Sequence, residues 1–103
     1  MSAADDIDVS VIIPAFNEAV TLSPLADGIR KELEALGKSF EILFVDDGST
    51  DSTWQVMRDL AAADPRIKAL RMRRNVGKSL ALMSGIVLLK GKIVFTMDAD
   101  LQD

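Results

Sequence analysis

Asp98, Asp100 and Gln102 alternate along the chain directly after an apolar run, Ile93 to Met97. In an extended backbone, alternate residues share a face, so two carboxylates and an amide oxygen converge on one point. Those are hard ligands, suited to a cation that also grips a diphosphate. Neighbouring carboxylates repel one another unless a cation lies between them. The same string also reads as an ordinary acidic loop, because D-x-D recurs by chance. Asp46-Asp47-Gly48-Ser49 likewise follows an apolar run. It reads as a turn and helix cap, or as a pair in which one Asp accepts from a ligand's base or ribose. Lys78, placed near a helix start, reads either as a phosphate contact or as a surface cation.

Composition narrows the chemistry further. The 103 residues contain no His, Cys or Tyr, so proton transfer falls to Asp, Glu or Lys. Any metal would be held by oxygen, which selects Mg²⁺ or Mn²⁺. Disulfides and sulfur-bound zinc are excluded. The net charge of −4 is uneven. Acidic side chains dominate residues 1–57, whereas residues 58–103 are net basic, with a cluster from Arg66 to Lys78. A short basic stretch on an acidic chain suits a phosphate-bearing ligand rather than a nucleic-acid track. It reads equally as a solvated strand edge.

The elements that must position these residues follow from periodicity. Short β-branched or aromatic runs at Val9–Ile13, Phe40–Val45, Ile67–Met72 and Ile93–Met97 predict four strands. Leu22, Leu25, Ile29, Leu33 and Leu36 predict a helix closed by Gly37, with Ser23-Pro24 as its start or a start one turn earlier. Trp54, Met57, Leu60 and Ala61 predict a second helix ending near Asp64-Pro65. A third follows Gly77, with Leu80, Met83, Ser84 and Val87 in phase and Gly91 past its end. This order predicts an α/β fold, a Rossmann-like parallel sheet with helices on both faces and strand order 3-2-1-4. Ligands bind such sheets at the carboxyl ends of the strands, at the switch point. Asn17, Glu18, Asp46, Asp47, Arg73 to Lys78 and Asp98 to Asp103 all fall there. Residues 1–7 read as a tail and 8–103 as one domain.

Pro14-Ala15-Phe16-Asn17-Glu18 lacks the glycines of a dinucleotide loop. Val76-Gly77-Lys78-Ser79 matches only the end of a P-loop, since Met72 stands where the first glycine belongs. A nucleotidyltransferase would want a Gly-rich, Arg-containing loop after the first strand. A non-catalytic receiver module would place its acidic pair after the first strand rather than after the second and fourth.

V-S-V-I-I-P-A-F-N-E, F-V-D-D-G-S-T-D-S-T, R-N-V-G-K-S-L-A-L and M-D-A-D-L-Q-D, in that order, resemble the N-terminal half of family-two glycosyltransferases of the GT-A fold. The likeness is to the dolichyl-phosphate mannose synthase-like, polyprenyl-phosphate branch. The resemblance implies an inverting transferase using a nucleotide-diphosphate sugar donor, with a polyprenyl or dolichyl phosphate as acceptor. It implies that Pro14, Ala15, Phe16 and Glu18 line the nucleotide pocket, with Phe16 where many relatives carry Tyr. It implies further that Asp46 and Asp47 contact base or ribose. Lys78 and Arg74 then lie near the pyrophosphate or lipid phosphate, and Asp98, Asp100 and Gln102 hold Mg²⁺ or Mn²⁺. Relatives continue into a second half with acceptor elements and the base, so this chain is expected to be an N-terminal fragment that binds donor without turning it over. Asp103 is the one spare carboxylate nearby. No membrane span or signal peptide is legible. A cytoplasmic protein, peripheral at the inner membrane face, is expected, as is self-association through the fourth strand or by exchanged elements.

Overall fold

The computed structural model describes residues 6–99. Seven elements alternate along them: β1 (Val9–Ala15), α1 (Leu22–Ala35), β2 (Phe40–Asp46), α2 (Thr53–Ala63), β3 (Ile67–Arg71), α3 (Lys78–Ile86) and β4 (Ile93–Thr96). All strand pairs are parallel, and the order is β3-β2-β1-β4 as expected. The sheet reverses direction of growth at β1, whose neighbours are β2 and β4.

β1 runs two residues beyond the expected end, through Pro14. A proline inside a central strand would normally forfeit a ladder bond. Here β4 pairs with β1 only from Val9 to Ile12, and Met97 N–H donates to the Ile12 carbonyl. The missing N–H therefore falls just past the end of that partner.

Side chains alternate strictly across the sheet. Val11, Ile13, Ile42 and Phe44 face α1 and α2 together with Leu22, Ala26, Ile29 and Met57. Ile12, Leu43 and Val45 face α3, where Ala81 meets them. α1 starts at Leu22, two residues before Pro24 and so between the two expected starts. Pro24 thus sits inside the first turn, where its missing N–H would be unpaired anyway. Gly37, at φ +68°, ends the helix, and the N–H groups of Gly37 and Lys38 return to Glu34 and Leu33.

One expectation fails on the other face. Leu80, Met83 and Val87 are in helical phase, but they point outward; α3 packs through Ala81 and Gly85 instead. A Cβ on Gly85 would lie only 2.7 Å from Ile12 Cδ1 and 3.0 Å from Leu43 Cδ2. Small residues are needed because the helix rides close against the sheet. β4 is exposed along its length, with Ile93, Val94 and Phe95 uncovered.

At the amino end of the sheet, buried Glu41 accepts from Ser10 Oγ (2.6 Å) and from Lys90 N–H (2.6 Å), with Lys68 3.4 Å away. Burial raises its pKa, but these donors more than offset that and hold the carboxyl below its ordinary value. Gly91 N–H donates to the same Ser10 hydroxyl. A Cβ on Gly91 would fall 2.5 Å from Ser10 N and 2.8 Å from the Val9 carbonyl carbon. Gly91→Ala is therefore expected to cost about 1–3 kcal/mol in urea unfolding. Gly28→Ala, on the open face of α1 with no atom within 4 Å, should instead gain up to about 1 kcal/mol.

Asp64 ties three elements together. It accepts from Arg66 (2.9 Å) and Arg30 (3.2 Å), and Arg66 also reaches Glu34. The Arg66 guanidinium holds the Asp64 carboxyl far below the ordinary carboxylate range. A depressed carboxyl stabilises the fold fully above its unfolded pKa and loses that contribution as pH falls. Stability should accordingly drop below about pH 4, and Asp64→Asn should flatten that part of a pH–melting curve.

Candidate functional site

Three loops leave the carboxyl ends of β1, β2 and β3, and hydrogen bonds between them fix their relative positions. Asn17, at φ +54°, donates its N–H to Ser49 Oγ (2.9 Å). Its side-chain oxygen accepts from the N–H groups of Thr50 (2.9 Å) and Asp51 (3.3 Å). Glu18 N–H donates to Thr53 Oγ1 at 2.9 Å. Asp51 in turn accepts from Thr53 N–H at the start of α2. The first and second loops are thereby joined at four points.

Asp47 joins the second loop to the third. Its carboxylate accepts from Val76 N–H (2.8 Å), Gly77 N–H (3.0 Å) and the Asn75 side chain (3.2 Å). Gly48 lets the two loops touch: a Cβ there would lie 2.4 Å from Asn75 N and 2.6 Å from the Arg74 carbonyl carbon. Its φ of +76° also favours glycine. Gly77, the residue that Asp47 grips, immediately precedes Lys78, the first residue of α3.

Around this scaffold, Pro14, Ala15, Phe16, Glu18, Lys78 and Asp98 line one cavity of about 190 Å³. A neighbouring space of about 200 Å³, bounded by Pro14, Lys78, Thr96 and Asp98, shares its wall. Lys78 Nζ lies 2.7 Å from Asp98 Oδ1, and both side chains are well exposed. Beyond the Asn17–Ser49 bond lies a further cavity of about 350 Å³, lined by Gly48, Ser49, Arg71, Met72 and Arg73. Two larger cavities lie elsewhere. One, of about 570 Å³, is at the amino ends of the strands, and the other, of about 460 Å³, runs along α1 and is almost wholly apolar. Neither gathers polar groups at the switch point, where parallel sheets bind ligands.

The structure thus brings six of the sequence-selected residues to one cavity. It gives Asp46 and Asp47 the amide-binding role that was one of the two readings of that turn. Both carboxylates are buried and do not line that wall. Asp46 accepts from Ser49 N–H (3.0 Å), and its other oxygen has no hydrogen bond, lying 3.6 Å from Arg71 Nε. Arg71 also stacks over the Trp54 ring. Arg74 is exposed beside Gly48. Asp100, Gln102 and Asp103 lie outside the described residues, leaving Asp98 as the described member of the expected metal trio. No cluster of three acidic residues able to hold a metal occurs among the described residues. Asp98 itself fits a hard cation, since it is an exposed carboxylate at the mouth of the cavity. Sequence reasoning had Ser49 in a turn and Asn75 in the stretch from Arg73 to Lys78 without giving either a partner, and it passed over Thr53. The signal was present in the density of Ser, Thr, Asp and Asn after each strand, the residue types that tie down loop amides.

A family model described as "Glycosyl transferase family 2" matches residues 10–103. An undecaprenyl-phosphate 4-deoxy-4-formamido-L-arabinose transferase of Edwardsiella ictaluri is 42% identical over 97 residues, which cover 92% of this chain and 30% of that protein. The chain therefore spans under a third of that relative. Among solved structures, a mannosyltransferase from Pyrobaculum calidifontis in complex with GDP-Man and Mn²⁺ superposes with a TM-score of 0.80 at 31% identity, over 92% of this chain and 28% of that one. Glucosyl-3-phosphoglycerate synthase from Mycobacterium tuberculosis, with Mn²⁺, UDP and glucosyl-3-phosphoglycerate, gives 0.70 at 27% identity, over 93% and 34%.

The buried bonds of Asp47 make a prediction about stability. Asp47→Ala strands two backbone N–H groups, while the Asn75 amide keeps its bond to the carbonyl of residue 47, and it should cost about 1–3 kcal/mol in chemical unfolding. It should also speed amide exchange at Val76 and Gly77. If Asp47 served only a ligand, the empty protein would keep its stability.

Proposed function

The chain belongs to glycosyl transferase family 2, and from that premise we propose that its carboxyl-end cavity binds a nucleotide-diphosphate sugar with Mg²⁺ or Mn²⁺ for inverting transfer to a polyprenyl phosphate. One observation carries this reading: Pro14, Ala15, Phe16, Glu18, Lys78 and Asp98 surround a single cavity at the switch point between β1 and β4. Two solved neighbours, one in complex with GDP-Man and Mn²⁺ and one with UDP and Mn²⁺, support it. The name of the Edwardsiella relative supports a polyprenyl phosphate as acceptor.

In this reading the nucleoside lies over the end of β2, in the cavity of Gly48, Ser49 and Arg71 to Arg73, and the diphosphate reaches Lys78 and Asp98. Asp46 and Asp47 act from behind. They hold the loops that form the wall instead of touching base or ribose. Lys78 meets the diphosphate as a point charge, with Arg74 as a second basic group nearby. Asp98, with Asp100 and Gln102, holds the cation, which supplies positive charge against the leaving diphosphate. Phe16 offers an apolar wall without the hydroxyl of a tyrosine. The reading assigns none of these residues to take the acceptor's proton, so donor binding and turnover are separable properties of this chain.

Isothermal titration of UDP and GDP, with and without Mn²⁺, tests the assignment. Binding should require the divalent ion. Asp98→Asn or Asp100→Asn should weaken metal and nucleotide together, by about tenfold or more. Metal-independent binding of unchanged strength in either variant would overturn the metal assignment.

A further inference from the structure

Lys78 and Asp98 each line both of the small spaces at the switch point, and Pro14 is the third residue the two share. The spaces measure about 190 and 200 Å³. Each falls short of the roughly 300 Å³ at which small-molecule sites begin. The Lys78 ammonium lies 2.7 Å from Asp98 Oδ1, so the ion pair borders both spaces at once. The backbones that carry it are tied down. Gly77 N–H donates to Asp47, and Met97 N–H donates to the Ile12 carbonyl. The side chains are not held in this way. Both are 60% exposed, and the lysine has a flexible four-carbon stem. Parting the pair needs a change of rotamer and no movement of α3 or β4.

One carboxylate is thus claimed by two cations. The donor site proposed above needs Asp98 for Mg²⁺ or Mn²⁺ and Lys78 for the diphosphate, yet the two residues bind each other. The ammonium acts as a stand-in cation, which shows that the Asp98 carboxylate is placed to receive one. A monovalent and a divalent cation held at the same carboxylate repel one another. A diphosphate, in contrast, offers the ammonium more negative charge than a single carboxylate does.

We propose that the Lys78–Asp98 ion pair is a bolt across the donor cavity: Lys78 yields Asp98 to the divalent cation and swings to the diphosphate, joining the two spaces. The inference rests on the donor-site reading and adds a rule for how its two ligands assist each other. Cation and diphosphate must each part the same pair, so whichever binds first leaves it parted for the second. Each therefore raises the affinity of the other by the same factor.

The nucleotide-free chain is titrated with Mn²⁺, and free Mn²⁺ is read by electron paramagnetic resonance. Lys78→Gln should bind Mn²⁺ about two- to fivefold more tightly than the unaltered chain, the strength of an exposed ion pair. Arg74→Gln removes the same charge from a residue that forms no salt bridge among the described residues, and should change Mn²⁺ affinity by less. A second readout follows the pair itself. In chain carrying ¹³C-labelled lysine, the Lys78 Cε signal is identified by its loss in Lys78→Arg. Mg²⁺ should move that signal toward the position it takes in Asp98→Asn. Unchanged or weaker Mn²⁺ binding by Lys78→Gln overturns the proposal, and so does an equal gain in Arg74→Gln. A Lys78 signal that stays in place while Mg²⁺ binds overturns it too, and this readout carries the test if Lys78→Gln melts early. Asp98→Asn keeps the inference apart from the reading beneath it. If that variant loses Mn²⁺ binding while Lys78→Gln gains none, this inference alone falls. If it binds Mn²⁺ as well as the unaltered chain does, the metal assignment falls and the inference with it.

Discussion

The Asp47 carboxylate, through its bonds to the amides of Val76 and Gly77, is the contact on which the candidate site depends. It draws the loop after β3 across the loop after β2, and it sets where α3 begins and hence where Lys78 stands. A charged acceptor bonded to backbone N–H groups is among the stronger hydrogen-bonding arrangements available, and burial raises the penalty for breaking it. The contact requires a residue without Cβ at position 48, because the two backbones approach too closely for any other. Asn17 does the corresponding work between the first and second loops. A binding surface made of loops is thereby given the rigidity of the sheet below it, as preorganised recognition requires.

The opposite end of the sheet is closed by a different buried carboxylate. Glu41, Ser10 and the backbone of Lys90 and Gly91 fix where the chain leaves α3 and enters β4. With both ends of the α3–β4 unit anchored, Asp98 is delivered opposite Lys78, at 2.7 Å. The pairing of these two charges depends on contacts at both ends of the sheet, and neither residue takes part in those contacts.

Much of this architecture was legible in the sequence. β-branched runs, helical spacing and Gly37 located the elements, and handedness rules gave the strand order. The convergence of Pro14 to Glu18, Lys78 and Asp98 followed from that order, since each stands at a carboxyl end. Two features were not legible, each for a physical reason. α3 has no polar face, so periodicity could not say which side meets the sheet; Ala81 and Gly85 do, because close approach favours small residues over large apolar ones. The Asp47 carboxylate can serve a ligand or a backbone amide, and the sequence does not record that the amides of Val76 and Gly77 come within its reach.

The central claim is that ligand binding occurs at the carboxyl-end switch point and not in the larger cavities. Backbone amide chemical shifts followed during titration with UDP or GDP and Mg²⁺ test it most directly. The account predicts changes concentrated at Ala15 to Glu18, Asp47 to Ser49, Arg73 to Lys78 and Asp98. Changes centred instead on Lys38 to Glu41 and Arg66 to Lys68, or on the α1 groove around Leu25, Ile29 and Met97, would contradict it.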